Sequence, residues 1–183
     1  WANISGIDLI KGPNVDLIMD GSDIDQLNRK FDIVISCECF EHAKNWKTIF
    51  EKMCKITKDN SFVVISVAST GRIEHGTERS GNWQSPGNKD DYYLNLTEND
   101  FRKNFNLDKI FSNYFFFYNS NQQNQLMKYY FKISGFRSYF THIIVRFTTF
   151  ICSVSLLHVT LTLGSFVSLW CISCEIVVLL CWS

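Results

Sequence analysis

Phe31–His42, FDIVISCECFEH, constrains the fold more than any other stretch of this chain. Phe31-Asp32-Ile33-Val34-Ile35-Ser36 is a short apolar run rich in β-branched residues, the pattern of a fully buried strand. No tight hairpin turn follows it. The run breaks into Cys37-Glu38-Cys39-Phe40-Glu41-His42 and then a helical pattern, so a polar cluster sits at a strand's carboxyl end. In open α/β sheets that is where ligands bind. Two earlier runs, Gly6-Ile7-Asp8 and Leu17-Ile18-Met19-Asp20, each place an aspartate just past apolar residues. Three parallel strands with acids at their carboxyl ends form a crevice suited to a polyhydroxylated or amine-bearing ligand.

The remaining patterns fit an α/β sheet. Asn3–Leu9 and Val15–Met19 read as strands, joined by the turn Lys11-Gly12-Pro13-Asn14, which is too short for a crossover helix. Ser22–Lys30 reads as a polar loop with at most one helical turn. Asn45–Thr57 is an amphipathic helix whose stripe Trp46, Ile49, Phe50, Met53 and Ile56 belongs to the core. Lys58-Asp59-Asn60 reads as a turn and Ser61–Val67 as a second buried strand. Ala68–Leu96 is long, polar and dotted with glycines, and loops of that length inside a compact domain are functional or disordered. Thr97 and Asp100 have the spacing of a capping box opening a short helix. Leu107–Tyr118 reads as a strand, Asn119–Gln125 as a polar turn and Leu126–Ile133 as a strand returning antiparallel.

A chain of 183 residues is long enough for one domain with a sizeable core. Lys plus Arg and Asp plus Glu both number 18, which argues against a nucleic-acid partner. From Thr141 to Ser183 only Arg146 and Glu175 are charged, so residues 141–183 form an apolar tail behind a domain of residues 1–140. Phe147–Cys174 exceeds the roughly 20 residues that span a bilayer. Its Ser, Thr and Cys content and the lack of a basic flank weigh against a working anchor, and a spurious extension is the other reading. The seven cysteines do not suggest a disulfide framework; Cys37, Cys39 and Cys54 suit reduced thiols, and a cytoplasmic location is expected.

GIDLIKGPNVDLIMD, then FDIVIS with CECFEH, a helix and SFVVISVAS resemble the class I S-adenosylmethionine (SAM)-dependent methyltransferases, particularly the type-11-like domains. The resemblance runs from about Ser5 to Ile133. It implies a Rossmann-like, mostly parallel sheet with an antiparallel C-terminal hairpin, and SAM as cofactor. By resemblance Asp8, with Leu9 beside it, would hold the ribose hydroxyls. The Asp20 side chain and the Gly21 amide would take the adenine, and the Ser36-Cys37 backbone would border the cofactor. The family's glycine-rich loop, which follows its first strand, has no counterpart before Trp1. The chain therefore reads as N-terminally truncated, its first strand and helix absent, and is expected to be inactive as it stands. The missing strand would lie between the Asn3–Leu9 and Phe31–Ser36 strands, which without it would either collapse together or leave unpaired edges. His75, Trp83, Tyr92 and Tyr93 fall in the stretch that flanks the family's substrate pocket, so the acceptor would be a small or conjugated molecule.

Glu41 and His42 are the candidates for polar chemistry. His42 could serve as general base, or it could cap the following helix while Glu41 pairs with a lysine; the residues favour neither. Methyl transfer from a sulfonium can proceed largely by alignment. Cys37-x-Cys39-x2-His42, with His75 as a fourth group, has the look of a metal clip. Structural zinc sites show two well-spaced ligand pairs and no second pair follows, so no metal site is expected. The rival classes are an inactive Rossmann-like remnant or interaction module without cofactor, and a nucleotide-dependent oxidoreductase.

Overall fold

The computed structural model describes residues 2–81, 87–88, 90–119, 126–133 and 174–180. In chain order they form β1 (Ala2–Asp8), β2 (Leu17–Ile18), a 3-10 helix (Gly21–Leu27), β3 (Phe31–Cys37) and a short 3-10 helix (Phe40–His42). Then come α1 (Trp46–Ile56), β4 (Thr57–Ala68), α2 (Glu98–Asn104) and α3 (Leu107–Ile110). The strands β5 (Phe111–Asn119), β6 (Leu126–Ile133) and β7 (Cys174–Leu180) complete a seven-stranded sheet of order β2-β1-β7-β3-β4-β6-β5. The first five strands in that order run parallel, and β6 is antiparallel to both β4 and β5. This is the α/β architecture with a reversed hairpin that the sequence pattern implies.

β1 and β3 neither collapse together nor leave their facing edges unpaired, because the slot between them is filled. It holds β7, which pairs in parallel with both neighbours, Ile176 opposite Ile4 on one side and Ile33 on the other. A central parallel strand is buried on both faces and needs a near-continuous apolar run. Ile176, Val177, Val178 and Leu179 supply it and are all buried. The one charged residue in β7 sets the register. The Glu175 N–H donates to Asp32 Oδ2 at 2.7 Å, and its carboxylate takes the Asn3 amide at 3.1 Å and the Arg29 guanidinium at 3.0 Å. Burial alone would raise the Asp32 pKa, but the Glu175 N–H and the Lys58 ammonium outweigh it and hold that carboxyl below its usual range. A one-residue slip would break these contacts and turn Val177 and Leu179 to the opposite face.

The helix α1 buries Trp46, Ile49, Phe50, Met53 and Ile56, the stripe read from the sequence. Each such side chain contributes about 1.5–3 kcal/mol when fully buried. Phe101 and Phe105 join them, with the Phe50 and Phe105 rings 4.5 Å apart between centroids. The Thr97 N–H and hydroxyl both donate to Asp100 Oδ2, at 2.8 and 2.6 Å, so the predicted helix start is present.

Three local expectations are corrected. Ser22–Lys30 is not mainly loop: Asp20 caps a seven-residue 3-10 helix that buries Ile24, and Asp25 pairs with Lys52 and Lys55 of α1, both at 2.7 Å. Lys58-Asp59-Asn60 lies within β4 as an irregularity, where pairing jumps from Phe31–Thr57 to Ile33–Phe62 and Asn60 has φ 58°. Leu107–Tyr118 is not one strand, because the Asn106 side chain accepts the Lys109 N–H at 3.2 Å and starts α3 before β5. Residues 120–125 of the polar turn, and residues 147–173 of the apolar stretch, lie outside the described residues. Among the described residues no helix is long and apolar enough to cross a membrane.

Leu179 is 2 % exposed and packs in the main core. Leu179→Ala is therefore expected to lower stability by about 2–5 kcal/mol in urea unfolding, the cost of emptying a core position. A change within about 0.5 kcal/mol, as for a surface residue, would mean that β7 does not occupy the centre of the sheet.

Candidate active site

The carboxyl end of β3 turns sharply. Glu38 adopts φ 50°, its N–H donates to the Ser66 carbonyl at 2.8 Å, and the Ser66 hydroxyl donates to Glu38 Oε1. The chain then enters the 3-10 helix Phe40–His42, all three residues of which are buried. Phe40 anchors it from below, 6.1 Å from Trp46 and 6.3 Å from Phe101 between ring centroids.

Glu41 is fully buried and ties three segments together. Its Oε1 accepts the Ala68 N–H at 3.0 Å, at the end of β4, and its carbonyl accepts the Leu94 N–H at 2.9 Å. The Leu96 N–H donates to the Ala68 carbonyl at 2.9 Å, so both ends of the long loop are pinned beside Glu41. Gly71 and Gly76, at φ 91° and 67°, turn the loop back over the strand ends. Within it the Asn95 amide donates to the Arg72 carbonyl at 2.8 Å, and Asn88 bridges the Gly76 and Tyr92 carbonyls at 2.9 and 2.8 Å.

His75 and Tyr93 of this loop close on His42. The ring centroids stand 4.9 Å apart for His42–His75, 5.5 Å for His42–Tyr93 and 5.0 Å for His75–Tyr93. His75 Nδ1 and the Tyr93 hydroxyl both reach the Ile73 carbonyl, at 3.1 and 3.3 Å. Neither ring nitrogen of His42 has a hydrogen-bond partner among the described residues, nor has His75 Nε2. Burial, with His75 and Arg72 adding to it, pulls the His42 pKa down to about 4. Burial also lowers His75 and raises Tyr93, so at neutral pH all three rings are uncharged. Arg72 stands 3.8 Å from Glu38, its compensating charge.

The residues expected to border a cofactor lie at the same end of the sheet. Asp8 is buried at the end of β1, its Oδ1 accepting the Ile10 N–H at 3.2 Å. Gly87 lies over Asp8 and Leu9; a Cβ there would stand 3.4 Å from Leu9 Cβ and 4.0 Å from Asp8 Oδ1. Asp20 Oδ1 accepts the Ser22 N–H and hydroxyl, both at 2.8 Å, and the Asn45 amide at 3.3 Å. Burial raises its pKa, but these bonds more than offset that and keep the carboxylate ionised. Gly21 has a packing reason of its own, since a Cβ would meet Ile49 Cγ2 at 3.0 Å. The Ser36 hydroxyl is buried without a partner among the described residues, and Cys37 is exposed at the strand end.

Of the acceptor-side candidates, the fold brings Glu41, His42, His75 and Tyr93 together. It leaves Tyr92 apart, in a shallow surface cleft with Lys44, Trp46 and Asp100. Trp83 lies outside the described residues. Sequence reasoning gave no role to Arg72, Asn88 or Asn95, which sit in a loop without periodicity.

Residues 1–130 match the family described as a methyltransferase domain. No curated protein and no solved structure matches the chain.

His42 yields a pH prediction. A histidine whose pKa falls from 6.5 to about 4 on folding contributes stability that is full above the unfolded value. That contribution is lost as pH falls toward and through the folded value. Urea unfolding at pH 7.5 and pH 5 should show a loss of a few kcal/mol at most, on the order of 1.4 kcal/mol for each tenfold drop in the ring's proton affinity. The loss should be smaller in His42→Gln. Equal pH dependence in the variant would mean that the ring is not buried.

Proposed function

Because the chain belongs to the methyltransferase domain family, we propose that it transfers a methyl group from SAM to a hydroxyl or amine of a small or conjugated acceptor. The observation that carries this reading is the placement of two unlike groups at one sheet end. Buried Asp8 ends β1, and the cluster of Glu41, His42, His75 and Tyr93 begins just past β3. Only β7 separates those strands, so their ends stand about 10 Å apart.

The residues fit the cofactor on the ribose and adenine side. Asp8 would accept from the ribose hydroxyls, Asp20 from the adenine amine through the oxygen its cap leaves over, and the Ser36-Cys37 backbone would border the cofactor. SAM, when bound, supplies a methyl group on a positively charged sulfonium. The acceptor would meet the Tyr93 and His75 rings, which orient it and exclude water. A neutral His42 then receives the acceptor's proton on a ring nitrogen, and Glu41 holds the segment that carries it.

β7 occupies the slot expected of the family's first strand. Titration of SAM into the chain, followed by ligand-observed NMR, tests the reading. Asp8→Ala should weaken binding about tenfold to a hundredfold through loss of its hydrogen bonds. Saturable binding that Asp8→Ala leaves unchanged would remove Asp8 from the ribose site. A complete lack of binding would favour the cofactor-free interaction module.

A further inference from the structure

Glu41 and His42 come from the turn after β3 and His75 from the loop after β4, yet one donor atom of each lies within 4.8 Å of the others, all buried. We propose that Glu41, His42 and His75 bind a divalent transition-metal ion of the zinc type. Two imidazoles and one carboxylate make a donor set that zinc and its neighbours accept, with a coordination position left open. Tetrahedral bonds of about 2.1 Å place donors about 3.4 Å apart, so small side-chain rotations close the set.

The orientation of the rings suits an ion as well as their proximity does. His75 Nδ1 faces the Ile73 carbonyl at 3.1 Å. A carbonyl only accepts, so the proton sits on Nδ1 and the lone pair on Nε2. Nε2 is the nitrogen left buried without a partner among the described residues. A ring N–H held by a backbone carbonyl is how ligating imidazoles are oriented. His42 is 7 % exposed and offers two ring nitrogens with no partner among the described residues, one of which an ion would take. Arg72 faces the cluster, but Glu38 stands 3.8 Å from it and offsets its charge, and Glu41 supplies the carboxylate of the donor set. The Tyr93 hydroxyl is turned to the Ile73 carbonyl and is no ligand. The donor set differs from the Cys37-x-Cys39-x2-His42 spacing of the sequence: Cys37 and Cys39 are not part of it. Where the ion is bound, His42 holds it rather than a proton.

The test uses the full chain, treated with chelator and kept reduced, with Co2+ as probe and no SAM present. Its outcome is therefore separate from that of methyl transfer. One Co2+ per chain should bind, with visible d–d absorption but no thiolate charge-transfer band, and Zn2+ should displace it. His42→Gln and His75→Gln should each weaken binding by more than the about 10–100-fold lost when only a hydrogen-bond partner of a ligand is removed. Cys37→Ser with Cys39→Ser should leave binding unchanged. Circular dichroism checks that the variants fold. If they do not, the wild type decides: Zn2+ must shift the ring resonances of two of the four histidines. No Co2+ binding, a thiolate spectrum, binding that survives both histidine variants, or unmoved ring resonances would each overturn the proposal.

Discussion

Buried backbone groups at the centre of the sheet demand partners, and β7 meets that demand. β1 and β3 each turn a row of N–H and C=O groups toward it, and leaving those groups unpaired in a dry interior would be costly. The strand comes from the far end of the sequence. It brings its own register device, Glu175, which engages Asn3, Arg29 and the Asp32 carboxylate at the amino end of the sheet. With register fixed there, the spacing at the opposite end follows. Asp8 and Cys37 are held one strand apart. The family match ends at residue 130, so the central strand of the sheet comes from outside the matching region.

Glu41 plays the corresponding part on the other side of β3. A buried carboxylate is tolerated only when it is hydrogen-bonded; here Oε1 accepts from the β4 terminus while the Glu41 carbonyl holds Leu94. The two ends of the loop are thereby brought together, which offsets the entropy of closing a long segment. Substituting Glu41 would thus disturb His75 and Tyr93 before it touched any chemistry. That makes Glu41 a positioning residue in the first instance.

Elements carried by local pattern were legible in the sequence. The stripe of α1, the strand read at Phe31–Ser36 and the Thr97–Asp100 cap all announce themselves through spacing. Leu126–Ile133 was legible as the returning strand of the hairpin. β7 was legible only as apolar: Ile176-Val177-Val178-Leu179 suits a membrane, a core helix or a buried strand equally, and nothing in the run names its neighbours. The Gly21–Leu27 helix was hidden because its stability is tertiary, resting on Ile24 burial and on Asp25 with two lysines of α1. At the site, Glu41 and His42 stood out by their place after a strand. That His75, rather than a cysteine, stands against His42 depends on how the loop folds back, which no spacing encodes.

The two halves of the candidate site differ in electrostatic character, and the difference bears on the proposed reaction. The side proposed for the cofactor presents two acids: the Asp20 carboxylate is kept charged by the Ser22 and Asn45 donors, and Asp8 accepts from the Ile10 N–H. A sulfonium would be attracted to that side. The acceptor side presents aromatic rings that burial keeps neutral, with Glu38 beside Arg72 as its counter-charge. An imidazolium at His42 would repel the sulfonium in a medium where charges are poorly screened. Burial, which costs the ring its basicity, therefore removes that repulsion. In the proposed reaction it would also set the kind of proton His42 could take: one already loosened as the acceptor's oxygen or nitrogen gains its methyl group, rather than one pulled from a resting hydroxyl.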